Sequence, residues 1–272
     1  MNCSIKYPLI LGYRKLKICQ HKEKANTMVW GSFGPVHIIS LFAGVGIIVA
    51  LYFAIYKLPQ KWQIVILGIL SFSGIIGNIY NLVAWNSPIE YLPFHLCSIN
   101  AIILPIAVLT KNKILGNLLL FWSVGAVFAL ILNTYVADAV LFSPAFNIYY
   151  FPHVLEVGIP ILLFKLGIIK KDFKCIPYTI GITLGIFIVV HFINLAINSY
   201  CVANNVTDYA GNVIKVNYMF TMFHDNIPLL STFYQILPVP FWYMLFVLPI
   251  IAIYLVIVYL PQIIGHFKLK SK

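Results

Sequence analysis

The stretch 92-LPFHLCSINAIILPIAVL-109 decides the class of this chain. Its second half, Ala101 to Leu109, is apolar throughout, as a membrane span would be. Its first half places a histidine, a cysteine and an asparagine at the head of that run. Polar and reactive groups inside a bilayer are costly, so they face a bundle interior or a cavity rather than lipid.

The rest of the chain extends this reading. Apolar residues make up 61% and charged residues 9% of 272, and the mean hydropathy is +0.94. Soluble domains carry about a quarter charged residues. Several runs exceed the ~18 apolar residues that cross a bilayer. The alternating ten-residue pattern of a β-barrel is missing. The fold class is therefore all-α, a polytopic membrane bundle of about seven transmembrane helices. Spans are expected at Gly34–Tyr56, Trp62–Leu82, Pro93–Leu109, Ile114–Leu132, Phe151–Ile169, Cys175–Asn198 and Phe241–Ile264. The third and fifth are short and contain proline, which favours tilting or local unwinding. Two long connections, Asn133–Tyr150 and Ser199–Pro240, fall on one side and are rich in Tyr, Asn, Phe and Pro.

The formal charge of +11 does not signal a nucleic-acid partner. Lys57, Lys61, Lys111, Lys113, Lys165, Lys170, Lys171, Lys174, Lys268, Lys270 and Lys272 all fall at one end of the spans, against Asp172 alone. The other end holds Glu90, Asp138, Asp208 and Asp225 against Lys215. Basic loops stay on the cytoplasmic side, so the C-terminus is expected there, with Met28 outside. Residues 1–27 carry six basic residues and only Glu23, which conflicts with an outer location. They read as a basic extension preceding a single domain at 28–272, with translation starting at Met28 or the extension lying on the membrane surface. The five cysteines show no CxxC spacing, so neither zinc nor a disulfide framework is indicated.

Polar residues within the spans form helical stripes: Asn78 with Asn81, Cys97 with Asn100, His153 with Glu156, and His191 with Asn194 and Asn198. With the orientation above they gather in the outer half, near His37 and His95. Asparagine stripes commonly serve as interhelical glue. Glu156 stands apart as the only acid within a span, which makes it a functional candidate. Pro93 suits a first helical turn, so Cys97 lies near a helix N-terminus, where the positive dipole end favours a thiolate. His95 sits about 200° round a regular helix from Cys97. His153 is therefore the preferred base for a Cys97 nucleophile, Glu156 its orienter, and His191 a second base or an oxyanion stabiliser.

Four segments carry a family resemblance: Phe33-Gly34-Pro35-Val36-His37, Leu92 to Asn100, Phe151-Pro152-His153 and Asn217-Tyr218-Met219-Phe220. In this order they resemble the YwaF-like family of bacterial integral membrane proteins. That family is similar, more distantly, to eukaryotic membrane proteins that transfer acyl chains between phospholipids with a cysteine and a histidine. The resemblance implies acyl transfer or hydrolysis at Cys97 and His153, with membrane phospholipids as partners. Small-solute binding or transport through the same polar cluster, and a non-catalytic assembly role, are the alternatives. No cofactor, metal set or protein partner is implied.

Overall fold

The computed structural model describes residues 28–84, 88–133, 136–208, 211–225 and 227–270. The basic extension 1–27, with Cys3 and Cys19, lies outside the described residues. Nine α-helices are described: α1 Pro35–Ile55, α2 Gln60–Ser71, α3 Ser73–Ala84, α4 Leu96–Thr110, α5 Lys113–Leu132, α6 Pro144–Lys165, α7 Ile176–Ala203, α8 Pro228–Ile236 and α9 Val247–Lys270. Among the described residues no strand forms, and only two isolated bridges occur, Val29 with Val140 and Thr207 with Val213. The chain is an all-α polytopic bundle. Six helical stretches are long and apolar enough to cross a membrane, and α4 is a shorter apolar seventh.

Helix boundaries follow local chemistry. Asn112 caps α5, its side chain accepting from Ile114 N at 2.9 Å and Leu115 N at 3.1 Å. Ser143 caps α6 and Pro144 follows in its first turn, where a missing N–H costs nothing. This corrects the expected loop Asn133–Tyr150, because its aromatic second half is the start of α6. The consequence is a change of depth. His153 lies nine residues into α6, about 14 Å along the axis at 1.5 Å per residue, and not at the helix end. α4, at 15 residues, spans only ~22 Å and so starts inside the bundle. The expected second span is two helices, α2 and α3, interrupted at Phe72.

α6 is the hub. Two-thirds of its apolar window is buried, against 17% for α1 and for α7. One apolar core (Leu67, Leu104, Leu119, Ile159, Leu163) joins α2, α4, α5 and α6. A second (Leu118, Trp122, Leu255, Tyr259) attaches α9 to α5. At the loop end of the bundle Trp30 is fully buried. Its Nε1 donates to Ser40 Oγ at 2.7 Å, while Leu141 N donates to Met28 O at 2.8 Å. At the lysine-rich end Lys113 and Asp172 form an ion pair, and the Lys113 ammonium holds the Asp172 carboxyl below its ordinary value.

The connection between α7 and α9 does more than bridge the ends of those helices. It turns back along α7 to reach Asn194, nine residues before that helix ends. Irregular backbone at such depth requires protein partners for its polar groups. α7 supplies them: Asn198 binds Val216 N at 2.7 Å and Val216 O at 3.0 Å, and Asn194 binds Tyr218 N and O at 3.0 and 2.9 Å. We refer to residues 212–225 as the strap.

Candidate functional site at the head of helix four

The two halves of the site share the first turn of α4. The first half lies between α3, α4 and α6. Glu156 is 3% exposed, and its Oε2 accepts from Asn100 Nδ2 at 3.3 Å. Gly74 on α3 permits this approach, since a Cβ there would stand 2.5 Å from Ala101 Cβ and 3.3 Å from Glu156 Oε1. Asn78, one turn along α3, donates to Ser98 O at 3.2 Å. Cys97, half-buried, lies within electrostatic reach of the Glu156 carboxyl. The donor role of Asn100 Nδ2 fixes the amide, and its Oδ1 is then a buried acceptor with no partner among the described residues.

His153 approaches from the same face of α6. Its Nδ1 donates to Tyr149 O at 2.6 Å, and its ring lies 4.4 Å from the Tyr149 ring. With the proton on Nδ1, the lone pair is on Nε2. The orienter of this imidazole is therefore a backbone carbonyl one turn away, while Glu156, the expected orienter, is bound by Asn100. The level of His153 follows from α5. Tyr149 OH reaches Ala129 O at 2.9 Å, and Leu96 Cδ2 packs where a Cβ on Gly125 would be 3.2 Å away. α6 runs antiparallel to α5, so His153, one turn beyond Tyr149, reaches the level of Gly125, Leu96 and Cys97.

The second half joins α4 to the strap. His95 precedes α4 with extended backbone, φ −73° and ψ 154°, and its side chain makes no cap bond. Its Nδ1 accepts from Met219 N at 3.4 Å, and its ring meets Tyr218 at 5.5 Å and Phe220 at 5.8 Å. Tyr218 OH donates to Ile89 O. Thr221 Oγ1 accepts from Asn194 at 2.8 Å and lies 3.2 Å from His191 Nδ1. Met219, Phe220 and Phe241 have φ of 53°, 57° and 66°, positive values that cost a non-glycine residue about 1–3 kcal/mol each; Phe241, with ψ −52°, is the centre of a γ-turn. Phe241 N, donating to Thr221 O at 2.6 Å, and Tyr243 OH, donating to Phe220 O, hold them there.

A protein-family model of the TMEM164 family matches residues 32–259. The chain belongs to the TMEM164 family. No curated protein and no solved structure matches it. The family match includes every candidate residue above, from His37 to the strap.

Two candidates stay apart in this TMEM164-family chain. His37 is fully buried, with Nδ1 accepting from Phe33 N at 2.9 Å and Nε2 2.8 Å from Leu130 O. Nδ1 thereby ties down the segment entering α1, and Nε2 joins α1 to the end of α5. Asn81 is half-buried on α3 and does not join the Asn78 contact. Among the described residues no cluster of three histidine, cysteine or acidic side chains forms a metal set. Sequence reasoning missed Thr221 and Tyr149, and singled out the segment of Tyr218 without giving it a role. Tyr149 was findable, since a histidine's i−4 carbonyl is its nearest acceptor on a helix. Thr221 lies 30 residues from His191, and nothing local connects them.

Proposed function

We propose that the chain is a thiol-dependent acyl-transfer enzyme acting on membrane phospholipids, as its YwaF-like resemblance implied. What supports this reading is an imidazole on α6, that of His153, whose Nδ1–H is engaged by Tyr149 O, on the same helix face as the Glu156 that meets Asn100, one turn along α4 from Cys97. Nε2 of His153 is then the base. It takes the thiol proton as Cys97 Sγ attacks the acyl ester carbonyl. The same proton passes to the departing lysolipid oxygen, leaving a Cys97 thioester. A second lipid hydroxyl, or water, attacks that thioester. It gives its proton to His153 Nε2, which returns it to Sγ. Asn100 Oδ1 supports the second step, because a buried acceptor without a donor suits an incoming hydroxyl. Glu156 fixes the Asn100 amide for that task.

The test is lipid profiling of cells expressing wild type, Cys97→Ser and His153→Asn. The expected result is an acyl-chain redistribution with wild type and none with either variant. Identical profiles in all three would overturn the assignment. A second reading, small-solute binding, draws support from the helix break at Phe72 and the irregular strap at depth, since transporters build midplane sites from interrupted helices. Uptake into vesicles that persists in Cys97→Ser would favour it.

A further inference from the structure

A cavity of about 580 Å³ opens at the lysine-rich end of the bundle, between α5, α6 and α9. It has two kinds of wall. Leu120, Ile161 and Phe164 form an apolar side, and Lys165, Lys170 and Lys171 a basic side. Lys171 is part of the frame: its Nζ donates to Val258 O at 2.8 Å and lies 5.3 Å from the Tyr259 ring centroid. Gln262 Nε2 closes the same wall by donating to Lys171 O at 2.7 Å. Lys165 and Lys170 are exposed. Between Glu156 and Asp208 the only acid is Asp172, and it is engaged by Lys113. Among the described residues neither Lys165 nor Lys170 forms an ion pair.

We infer that this groove is a binding site for an anionic phospholipid of the adjoining leaflet. Lys165 and Lys170 hold the phosphate, and an acyl chain runs along Leu120, Ile161 and Phe164. Charge complementarity selects the headgroup, because basic pockets between transmembrane helices at such an end attract anionic lipids. The apolar wall selects a lipid over a free phosphate, since water-soluble anions gain nothing from it. The cavity is large enough for a headgroup and the upper part of a chain. This site stands at the opposite end of the bundle from the strap and does not depend on the acyl-transfer reading.

The test uses the full chain, purified, delipidated and re-exposed to palmitoyl-oleoyl phosphatidylglycerol or to the matching phosphatidylcholine, with bound lipid counted by native mass spectrometry. Wild type is expected to retain phosphatidylglycerol in preference to phosphatidylcholine. Lys165→Ala/Lys170→Ala is expected to weaken phosphatidylglycerol binding about thirty-fold, since each basic group near an anionic surface contributes roughly five-fold. Lys165→Arg/Lys170→Arg should keep most of it. Lys57→Ala/Lys61→Ala, at the same end but outside the groove, should leave it unchanged. Equal loss in that control, or equal retention of the two lipids by wild type, would overturn the site. So would displacement by glycerol phosphate at the concentration that phosphatidylglycerol itself requires, which would make it a free-phosphate site.

Discussion

Replacing Asn194 by leucine should detach the strap without unfolding the bundle. The asparagine makes three hydrogen bonds to the strap: Nδ2 to Tyr218 O at 2.9 Å, Nδ2 to Thr221 Oγ1 at 2.8 Å, and Oδ1 from Tyr218 N at 3.0 Å. Hydrogen bonds inside membrane proteins average about 0.6 kcal/mol each, which gives about 2 kcal/mol for the set. Leucine matches the volume but leaves the Tyr218 N–H buried without its partner, so this figure is a lower bound. The sensor is already present. Cys201 is fully buried beneath Ile214, Val216 and Tyr218. In a variant keeping Cys201 as its sole cysteine, maleimide reacts only when the strap opens. A loss of 2 kcal/mol should raise the labelling rate about thirty-fold. Circular dichroism should be unchanged, because α7 keeps a good helix former at position 194. Labelling at the wild-type rate, with the fold intact, would refute the argument that Asn194 anchors the strap.

Other outcomes follow from the same geometry. Gly74→Val should destabilise by about 1–3 kcal/mol through overpacking, read as a lower thermal midpoint in detergent, and Ala101→Gly should recover part of it. Thr183→Val leaves the buried Trp122 Nε1–H, which donates to Thr183 Oγ1 at 3.0 Å, without an acceptor. It should cost about 1 kcal/mol, and the double variant with Trp122→Phe should cost less than the sum of the singles. Because Lys113 holds the Asp172 carboxyl below its ordinary value, the contribution of that ion pair is present above pH ~4. It is lost as pH falls through the lowered value in the folded protein. Lys113→Ala should therefore flatten the acid limb of the stability curve and have less effect at high salt.

Much of the bundle was readable because apolar length is a one-dimensional signal. Spans at Lys113–Leu132 and Pro35–Ile55 lie within one residue of their expected limits. The start of α6 was not readable in the same way. Phe146, Tyr149 and Tyr150 resemble loop aromatics until Ser143 and Pro144 are seen as cap and first turn. For the site, helical spacing revealed which side chains share a face. It could not reveal the partner across the interface. His153 and Glu156 are three residues apart, yet Glu156 meets Asn100, 56 residues away, because Gly74 lets α3, α4 and α6 close together. The strap that His95 meets is likewise out of reach of local spacing, 124 residues distant.

That distance has a consequence for biogenesis. The contacts that finish the head of α4, Ile89 with Tyr218 and His95 with Met219, join residues 129 and 124 positions apart. Helices α1 to α6 can be inserted and packed while the strap is still within the ribosome. Cys97 and His153 are then both present, but the backbone that meets His95 at the head of α4 has yet to be synthesised. The head of α4 is thus completed only in the last quarter of translation, and a nascent chain holds it in an unfinished setting. Separately expressed pieces, 28–203 and 204–272, should regain that setting only by associating with each other in the membrane.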